Sequence, residues 1–578
     1  MRNILTSNTG NVSKKIKALW ADKRPFHKRL ILAGAAMAAA CFTFIFYGPV
    51  EMVAFGGSSL TYSYMDILGI MAVAALLAFA AGTLAISLLK GKIFNYIVTF
   101  IFSVTVGGYL QALAFNGDMG SLNGNAIAWD QMKGELFINL FVWAVLFLVV
   151  YGILYFSRDL WKRMLIFGSA MLVIMQMAPL VGILTGMYDE SGENDIADYA
   201  FMDSGMYAFS SNRNILVFVL DRMDFDYIES AVKKDPDILN GLEGFTGYTN
   251  AVSRYARTKP ALNHMLTGSD SIAYDVPQTD YLRGSWTENG KDLLGDLTDK
   301  GYNIEFYTMM QYLFSDPAYV NSYVSNVTMD KGDINQIMVC RKMLYLSAYR
   351  YAPLTLKPFF WADTNFYNSQ IYINTGLYEL DDAKYAPGFV QSTADREQNC
   401  FKFYHFNGPH EPFVLNADGT RSDHFTSAEE QMMGTLHNLY IAFDALKQQG
   451  VYKDAAIIIT ADHGDGKDDA LPLTKQTRIG LFYKPAGSEG TPLIWSSAPV
   501  STDNIPATII KAAGGNTMPY GDALDEIAED AVVTRKYYRS VNEEGINPCV
   551  YEYEITGDAS NFENWVNVGI SPMQYTYY

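Results

Sequence analysis

The 578-residue sequence predicts a fold of two parts: a five-helix transmembrane bundle at the N-terminus and an α/β domain after it, with a small β appendage at the C-terminus. Two observations support this fold class. The first third of the chain contains five long apolar runs, and the rest alternates short apolar strands with amphipathic helices. Strands that alternate with helices are typical of a mostly parallel sheet with helices packed on it.

Five apolar runs predict the membrane bundle over residues 30–187. Each run is close to the ~20 residues that an α-helix needs to cross a bilayer. The runs are Leu30–Tyr47, Ile67–Leu89, Ile93–Phe115, Leu136–Phe156 and Met164–Gly186. A cleaved signal peptide would account for one such run and not for five, so we expect a multi-pass membrane protein. Pro179 is expected to kink the last helix, because proline removes a backbone hydrogen bond.

Basic residues set the expected orientation of the bundle. Residues 1–29 form a basic tail, and the second-to-third and fourth-to-fifth connections also carry positive charge. The charges in these two connections are Lys90, Lys92, Arg158, Lys162 and Arg163. By the positive-inside rule these segments and the N-terminus are cytoplasmic. Five crossings then place everything after Met187 outside the cell membrane.

Changes in composition divide the rest of the chain. Residues 188–212 begin acidic and polar and predict a linker along the membrane surface, and residues 213–530 predict an extracellular domain. Residues 531–578 predict a β-rich appendage, because Tyr551–Ile555 alternates as a half-buried strand does. The net charge of −18 argues against nucleic acid as a partner, since surfaces that bind nucleic acid carry an excess of positive charge.

Two predicted strands each deliver possible metal ligands at their C-terminal ends. Asn214–Leu220 is a nearly continuous apolar run, typical of a buried parallel strand, and Asp221 follows it. Ala455–Ile459 is a second such run and leads to Asp462 and His463. In a doubly wound α/β sheet the C-terminal ends of strands face one crevice, so these side chains could converge on a cation. The alternative interpretation is that the aspartate after the second strand caps a turn and the histidine is an ordinary surface residue.

The segment 257–260, with the sequence Arg-Thr-Lys-Pro, predicts the start of a helix at Thr258. A hydroxyl at a helix N-terminus lies among oriented N–H groups, which suit an anionic group. A cation held by the three ligands above could lower the effective pKa of the Thr258 hydroxyl and convert it into a nucleophile. The alternative is that this threonine only caps the helix.

Further strands and helices complete the predicted α/β pattern. Strands are expected at Asn303–Tyr307, Phe401–Phe406 and Ile479–Tyr483, and helices at Ser427–Gln449 and Asp503–Ala513. The longer helix is amphipathic, because its apolar residues recur every three or four positions.

Histidines cluster in the segments that carry these candidate ligands. The chain has seven histidines, and four of them are His264, His405, His410 and His463. His405 lies in the Phe401–Phe406 strand and His410 follows it, so both could supply neutral donors or a proton for a leaving group. Taken singly, each of the four is more often a structural histidine.

The order of these motifs resembles the sulfatase branch of the alkaline-phosphatase superfamily. The matching segments are the strand ending at Asp221, Thr258-Lys259-Pro260-Ala261 with Leu266-Thr267-Gly268, Gly408-Pro409-His410-Glu411-Pro412, Ala461-Asp462-His463-Gly464, Arg478–Pro485 and Ser501–Thr508. The five apolar runs in front of them resemble the lipoteichoic-acid synthase type of membrane phosphoglycerol transferase. Together, the resemblances span roughly residues 30–525.

The resemblance implies a role for each candidate residue of the site. Thr258 would be the covalent nucleophile, and His410 would lie in the substrate site. The implied ligands of one divalent metal ion are Asp221, Thr258, Asp462 and His463. The implied ion is Mn²⁺ in the first place, with Zn²⁺ and Mg²⁺ as alternatives among which the ligand set does not choose.

Several further side chains are expected to bind the substrate. Arg257, Lys259 and Arg478 could hold phosphate, although a solvated surface position is the alternative for each of them. His405 is expected beside the substrate, and Trp361 could line a pocket for glycerol.

The sequence departs from the family pattern in three places. The first metal ligand is Asp221, where the lipoteichoic-type enzymes usually have Glu. Thr258 cannot be matured to formylglycine as the Cys or Ser of sulfatases is, which argues against sulfate-ester hydrolysis. The C-terminal appendage has no assigned role.

The resemblance implies a membrane-anchored, metal-dependent phosphotransferase with a Thr nucleophile. It would move a phosphoglycerol head group from a membrane phospholipid, phosphatidylglycerol in the first place, to a glycan or lipid acceptor of the cell envelope. Alternatives within the superfamily are phosphoethanolamine transfer and phosphodiester hydrolysis. A different alternative is a non-catalytic envelope protein that binds or assembles, but the complete set of candidate ligands argues against it.

Overall fold

The chain forms two compact units in the computed structural model, which describes residues 24–55, 60, 62–116, 132–185, 199–329, 332–360, 371–373, 376–465, 472–541 and 547–575. The unit that we name the membrane unit consists of Met1–Asn194 and Gly332–Ile373. The unit that we name the α/β unit consists of Asp195–Lys331 and Asn374–Tyr578. Trp361, a predicted substrate-binding residue, lies outside the described residues.

The membrane unit contains five helices that are long and apolar enough to cross a bilayer. In chain order, spans 1 to 5 are Phe26–Ala54, Tyr64–Leu88, Gly91–Phe115, Lys133–Phe156 and Arg158–Leu184. Each span coincides with one predicted apolar run, and Pro179 lies inside span 5. The prediction of five apolar helices is therefore confirmed.

Two spans change their helical geometry toward their C-terminal ends. Span 1 is an α-helix over Phe26–Cys41, a π-helical stretch over Phe42–Tyr47 and an α-helix over Gly48–Phe55. Span 3 is α-helical over Gly91–Leu110 and π-helical over Gln111–Phe115. Such π-helical stretches inside longer helices are frequent at functional positions.

Polar side chains inside the bundle pair across helices. The indole N–H of Trp161 donates to Thr99 Oγ1 at 2.8 Å, and the Gln176 amide donates to Thr43 Oγ1 at 2.9 Å. Large apolar side chains such as Leu148 are exposed on the outside of the bundle. Paired polar groups inside and apolar groups outside are the arrangement that a hydrocarbon surrounding favours.

One segment of the predicted extracellular domain belongs to the membrane unit. Residues 332–360, which we name the insert, form a helix over Gln336–Tyr351 and a 3₁₀-helical stretch over Leu354–Phe360. Buried apolar side chains of the insert, Val339 among them, share a core with the ends of the spans. No local pattern in the sequence separates this segment from the predicted extracellular domain, because the segment is short and no more apolar than the residues around it.

A seven-stranded sheet forms the centre of the α/β unit. In chain order its strands are β1 (Asn214–Leu220), β2 (Thr246–Tyr248), β3 (Tyr302–Tyr307), β4 (Asn399–Phe406), β5 (Ala455–Thr460), β6 (Leu481–Lys484) and β7 (Ile494–Ser496). The spatial order is β7-β2-β6-β5-β1-β4-β3, and of these seven strands β6 alone runs antiparallel to its neighbours. The predicted mostly parallel sheet is confirmed.

Burial explains why the central strands are nearly continuous apolar runs. All seven residues of β1 and all six of β5 are buried, as expected for strands that are covered on both faces. β1 lies between β5 and β4, and the register pairs Val219 with both Thr460 and His405. The three strands therefore end side by side, which brings the residues after them to one edge of the sheet.

The α/β unit also contains helices, most of which contribute to the core of this sheet. They span Phe225–Lys234, Thr258–Thr267, Gln278–Gly284, Leu293–Asp299, Pro317–Tyr323, Asp382–Tyr385, Ala428–Gln448 and Ile505–Ala512. The predicted amphipathic helix is confirmed, because the Ser427 side chain caps it and Met432, Leu436 and Phe443 belong to the central core.

Part of the predicted linker pairs with the α/β unit. Ala200–Phe201 lies beside Val327–Thr328, and Ala208–Ser210 lies beside Thr393–Arg396. Since strand pairing attaches this stretch to the domain, the compact unit begins upstream of the predicted boundary. The first part of the predicted linker lies outside the described residues.

A three-stranded antiparallel sheet forms the C-terminal appendage. Its strands are β8 (Thr534–Val541), β9 (Cys549–Thr556) and β10 (Trp565–Pro572). The rings of Tyr537 and Trp565 lie 5.3 Å apart and are buried on its inner face. The predicted β appendage is confirmed.

Candidate active site

The carboxyl ends of β1 and β5 bring together two predicted ligands. Asp221 directly follows β1, and Asp462 follows β5 after one intervening residue. Both side chains are buried, and among the residues that the structure describes Asp221 Oδ1 and Asp462 Oδ2 have no hydrogen-bond donor. A buried carboxylate oxygen without a donor is costly, so both positions favour the binding of a cation.

The other oxygen of Asp462 holds the turn that follows β5. Asp462 Oδ1 accepts hydrogen bonds from the backbone N–H groups of Arg222 at 3.0 Å and His463 at 2.8 Å. Arg222 has a left-handed backbone with φ of 58°, which is uncommon for a residue other than glycine. One oxygen therefore caps the turn, as the alternative interpretation expected, while the second oxygen remains for a cation.

His463 presents its Nε2 atom to Thr258. The Nδ1 atom lies 2.7 Å from the carbonyl oxygen of Gly464, and since a carbonyl only accepts, Nδ1 carries the proton and Nε2 of the neutral ring carries a lone pair. Nε2 lies 3.3 Å from Thr258 Oγ1, 3.4 Å from Asp462 Oδ2 and 3.9 Å from Asp221 Oδ1. His463 is buried, so it is not an ordinary surface histidine.

Thr258 is the first residue of the helix Thr258–Thr267, as predicted. Arg257 precedes it at the N-cap position, and the arginine side chain makes no capping hydrogen bond. The Thr258 side chain is half-buried. The positive end of the helix dipole at this position favours both an ionised oxygen and a phosphate group.

His405, which lies in β4, belongs to this cluster, although the prediction from the sequence was that it binds the substrate. Its Nε2 atom lies 3.5 Å from Asp221 Oδ2, and its Nδ1 atom lies 3.1 Å from the Thr308 hydroxyl. One ligand atom from each of Asp221, His405 and Asp462 lies within 4.8 Å of the others. The pairing of β4 with β1 creates this contact, and the sequence holds no direct signal for which strands are neighbours.

The cluster fits a divalent cation. Asp221 Oδ1, Asp462 Oδ2 and His405 Nε2 are all buried, and none of them has a hydrogen-bond partner within the described part of the chain. A divalent cation would satisfy two carboxylates and an imidazole lone pair at once. Two oxygens and one nitrogen accept Mn²⁺ and Zn²⁺ alike, whereas Mg²⁺ prefers a set made of oxygens.

Electrostatics keep Asp221 ionised. Burial by itself would raise the pKa of this carboxyl, but His410, His405 and His463 hold its pKa well below the usual range. Asp221 is therefore a carboxylate at neutral pH, which is the protonation state that a metal ligand needs.

The loop after β4 lies directly on the backbone of Asp221. Gly408 has φ of 55°, and a Cβ atom on it would be 2.8 Å from both the Asp221 nitrogen and the Leu220 carbonyl carbon. Glycine is required here because a side chain would collide with this backbone. The close approach packs the loop that carries His410, two residues later in the chain, against the Asp221 backbone.

Asp382 and Gln431 hold this loop in place, and neither residue was predicted from the sequence as part of the site. The Asp382 carboxylate accepts from the N–H groups of Asn407 at 2.7 Å and Gly408 at 2.9 Å. The Gln431 amide donates to the Gly408 carbonyl at 2.7 Å. Burial raises the pKa of Asp382 to about 7, although the two N–H groups act in the opposite direction. No local pattern signals this role, because Asp382 and Asn407 are 25 residues apart.

A second set of acidic contacts joins the turns after β1 and β5. Asp224 accepts from the Asp465 N–H at 3.0 Å, and Arg222 donates to Asp465 Oδ1 at 2.9 Å. Burial raises the pKa of Asp224 to about 6. A Cβ atom on Gly464 would be 2.7 Å from Asp224 Oδ2, so glycine is needed between the two turns. These contacts fix the relative position of Asp221 and Asp462, the two candidate ligands.

The predicted phosphate-binding residues have different surroundings. Lys259 is half-buried, and burial lowers the pKa of its ammonium to about 8, whereas Arg257 is exposed. Arg478 donates to the Thr249 carbonyl at 3.0 Å and lies over the Phe225 ring at 4.4 Å. Among the described residues the Arg478 guanidinium makes no contact with the cluster, so its surroundings are those of a structural side chain.

The α/β unit matches a known protein family and is similar to several solved structures. The family described as Sulfatase matches residues 213–515, which is more than half of the chain. No curated protein sequence matches the chain. A phosphonate monoester hydrolase from Silicibacter pomeroyi has a similar structure, with 14% identity and a TM-score of 0.35 over 60% of this chain and 87% of the other.

Two further solved structures share these low similarities. The lipoteichoic acid synthase LtaP from Listeria monocytogenes has 13% identity and a TM-score of 0.34 over 62% of this chain and 89% of its own. A protein of the alkaline phosphatase superfamily from Vibrio parahaemolyticus has 12% identity and a TM-score of 0.34 over 65% and 85%. The family match confirms the resemblance found in the motifs: the chain belongs to the sulfatase family.

Proposed function

We propose that the protein is a membrane-anchored, metal-dependent phosphotransferase in which Thr258 carries the transferred group. One observation carries this proposal. Thr258 Oγ1 lies 3.3 Å from His463 Nε2, at the start of a helix and next to the cluster of buried ligand atoms. A nucleophile beside a base and a cation site is the arrangement that phosphoryl transfer through a covalent intermediate requires. Threonine in place of Cys or Ser speaks for a phosphate ester rather than a sulfate ester.

The proposed donor is a membrane phospholipid, with phosphatidylglycerol in the first place, and the proposed acceptor is a hydroxyl of an envelope glycan or glycolipid. Five apolar helices support a donor that lies in the bilayer. The distribution of Lys and Arg supports a cytoplasmic N-terminus. On that topology the donor, the site and an envelope acceptor would all be available on the outer side of the cell membrane.

The first step forms a bond between Thr258 and phosphorus. The Thr258 oxygen attacks the phosphodiester while its proton passes to the lone pair on His463 Nε2. A cation held by Asp221, His405 and Asp462 would draw negative charge from the phosphoryl oxygens. Because Nε2 of His463 faces the hydroxyl, we assign it the proton, and direct metal binding by this residue stays a prediction.

The leaving group departs in the same step. The bond from phosphorus to the diacylglycerol oxygen breaks, and we assign to His410, on the loop that packs against the Asp221 backbone, the proton that this oxygen takes. Phosphoglycerol then remains on Thr258 as a phosphodiester. In the second step an acceptor hydroxyl attacks phosphorus and gives its proton to His410, which lost one in the first step. The bond from phosphorus to the Thr258 oxygen breaks, and this oxygen takes back the proton that His463 held.

Lys259 supports binding of the donor phosphate. It follows the nucleophile directly, it is half-buried, and a pKa of about 8 leaves a large share of its side chains charged at neutral pH. A positive charge beside the attacked phosphodiester would attract and orient it. Arg257 is exposed at the same helix end and could assist, whereas Arg478 is already engaged elsewhere.

Release of diacylglycerol from phosphatidylglycerol by the full-length protein with Mn²⁺ tests the proposal. We expect release by the wild type, loss of release in Thr258→Ala and retention of part of it in Thr258→Ser, since serine keeps the nucleophilic hydroxyl. Release from phosphatidylethanolamine instead would identify a phosphoethanolamine transferase. Release that is equal in wild type and Thr258→Ala would overturn the assignment of the nucleophile.

A further inference from the structure

The insert is unusual in its connectivity. Residues 332–360 belong to the membrane unit, but the chain enters them from the α/β unit and returns to the α/β unit after Ile373. The polypeptide therefore passes between the two units three times, once after span 5 and once at each end of the insert. A cut after span 5 alone would leave the insert as part of the fragment that carries the α/β unit.

Apolar contacts join the insert to the ends of the spans. Val339 and Met343 of the insert helix are fully buried in a core that also contains Val50 and Ile67 from spans 1 and 2. The hydroxyl of Tyr62, which precedes span 2, contacts Met343 Sδ at 3.0 Å. These side chains form a packed interface and not a loose surface contact, because a core of this kind excludes water from both partners.

A charged contact adds to this interface. The Arg350 guanidinium lies 2.7 Å from Glu51 Oε2 near the end of span 1, and the Tyr47 hydroxyl donates to the other oxygen of Glu51 at 2.9 Å. Asn116, just after span 3, donates to the Arg350 carbonyl at 3.1 Å. The side chain of Arg350 is therefore bound by span 1, and its backbone carbonyl is bound by the residue that follows span 3.

A polar network binds the backbone that follows the insert helix. Asn139 of span 4 accepts from the Leu354 N–H at 3.0 Å and donates to Gln111 of span 3 at 2.7 Å. The indole N–H of Trp143 donates to the same Gln111 oxygen at 3.0 Å. Buried polar side chains in apolar helices are costly unless they are paired, and here the insert completes their pairing.

Spans 1 and 3 have irregular helical geometry and a glycine at the positions that contact the insert. The π-helical stretch of span 1 contains Phe44, whose carbonyl accepts from the Ser347 hydroxyl at 2.5 Å, and the π-helical stretch of span 3 begins at Gln111. A Cβ atom on Gly48 would lie 2.5 Å from Tyr351 Cε2, so glycine leaves room for this ring. The helical distortions and the small residue occur together where the insert docks.

All of these partners lie at one end of the bundle. Glu51, Gln111 and Asn139 belong to the end of span 1, the end of span 3 and the start of span 4. Since successive spans alternate in direction, these positions fall on the side on which span 5 ends. The insert therefore docks on the side of the membrane to which the rest of the chain continues.

We propose that the insert is a second, non-covalent anchor that keeps the α/β unit attached to the membrane spans when the chain is cut between span 5 and the first strand of the α/β unit. The partner of this interaction surface is the membrane unit of the same chain. Proteolysis after span 5 would not release a soluble domain. This inference does not depend on the reaction that the site catalyses.

Cleavage of the full-length protein in mild detergent tests the anchor. A protease recognition sequence replaces Asp189–Asn194, and an affinity tag is placed at the N-terminus. After complete cleavage, we expect the fragment with the α/β unit to elute with the tagged spans. Elution of that fragment in the flow-through would overturn the proposal.

Two further cleavage sites show whether the insert is responsible. When recognition sequences are also placed at residues 330–331 and 374–375, we expect cleavage to release the α/β unit and to leave the insert peptide with the tagged spans. An α/β unit that still co-elutes after all three cuts, or an insert peptide that leaves with it, would contradict an anchor made by the insert.

Charge reversal tests the contact between Arg350 and Glu51. In the protein with one cleavage site, Arg350→Glu should reduce the co-eluting fraction, and Glu51→Arg combined with Arg350→Glu should restore it. Arg341→Glu, an exposed position of the same helix, is the matched control and should co-elute as the wild type does. Equal behaviour of Arg350→Glu and the control would contradict docking through this ion pair.

Discussion

Three single atoms explain why the cluster favours a cation. Asp221 Oδ1, Asp462 Oδ2 and His405 Nε2 are buried, have no hydrogen-bond partner among the described residues, and each comes from a different strand or strand end. We expect His405→Ala to weaken Mn²⁺ binding at least about tenfold, since even partners outside the first ligand shell have effects of this size. Titration calorimetry on the full-length protein measures it. The exposed His424→Ala is the control, and an unchanged affinity in His405→Ala would remove this histidine from the ligand set.

The elevated pKa of Asp382 makes stability depend on pH. Burial raises this pKa from 3.8 to about 7, so between about pH 4 and pH 7 the folded state binds more protons than the unfolded state does. Stability from this group is therefore present at low pH and falls as the pH rises through that window. We expect the melting temperature of the wild type relative to Asp382→Asn to fall from about pH 4 to pH 7. A difference that stays constant with pH would show that Asp382 does not titrate there.

Gly408 tests the importance of the loop that carries His410. Gly408→Ala adds a left-handed alanine, which costs about 1–2 kcal/mol, and also a Cβ atom 2.8 Å from the Asp221 nitrogen. Gly301→Ala is the matched control, because Gly301 has φ of 77° but nothing within 4 Å of the added Cβ. We expect donor cleavage to fall much further in Gly408→Ala than in Gly301→Ala. Equal activity of the two variants would show that the loop tolerates displacement.

Single residues differ in how far the sequence reveals them. Asp221, Asp462 and His463 were predictable because they end apolar strands, and Thr258 was predictable because Pro260 marks a helix start. In the structure these four residues lie close together, because His463 Nε2 is within 3.9 Å of an oxygen of each of the other three side chains. His405 could not be assigned to the cluster, because its role depends on β4 lying next to β1, and strand order is not a local property of the sequence.

At the level of secondary-structure elements, the appendage bears on the segment that leads into the Thr258 helix. Tyr538 of β8 donates through its N–H to the Arg254 carbonyl at 2.8 Å and accepts from the Ala256 N–H at 3.0 Å. These two hydrogen bonds lie only a few residues before Thr258, the proposed nucleophile. The appendage therefore helps to fix the start of that helix.

Arg535 holds the appendage to the domain. Its buried guanidinium donates to the Asn250 carbonyl at 2.6 Å and to Asn250 Oδ1 at 3.0 Å. We expect Arg535→Ala to lower the free energy of unfolding by roughly 2–3 kcal/mol, because buried acceptors lose a charged donor. Lys536→Ala, exposed on the same strand, should change it by less than about 0.5 kcal/mol. Thermal unfolding measures both, and equal stability of the two variants would contradict this role.

Long elements were predictable, and short ones were not. The spans, the central strands β1 and β5 and the amphipathic helix Ala428–Gln448 carry enough residues to show their periodicity. Strands of two or three residues, such as Ala200–Phe201, are fixed by pairing with distant strands and have no periodic pattern of their own.

For the molecule as a whole, the sequence predicts the architecture in outline but not its connectivity. Five apolar runs and the alternation of strands and helices lead to a membrane bundle followed by an α/β unit. The return of the chain to the membrane unit at residues 332–360 rests on contacts such as Arg350 with Glu51, which join residues about 300 positions apart. No local composition could reveal it.

Intact mass measurement of the full-length protein after incubation with Mn²⁺ and phosphatidylglycerol tests the central claim most directly. We predict that the wild type gains the mass of one phosphoglycerol unit and that Thr258→Ala gains none. A wild-type protein that binds no metal and gains no mass with any phospholipid would contradict a covalent transfer through Thr258.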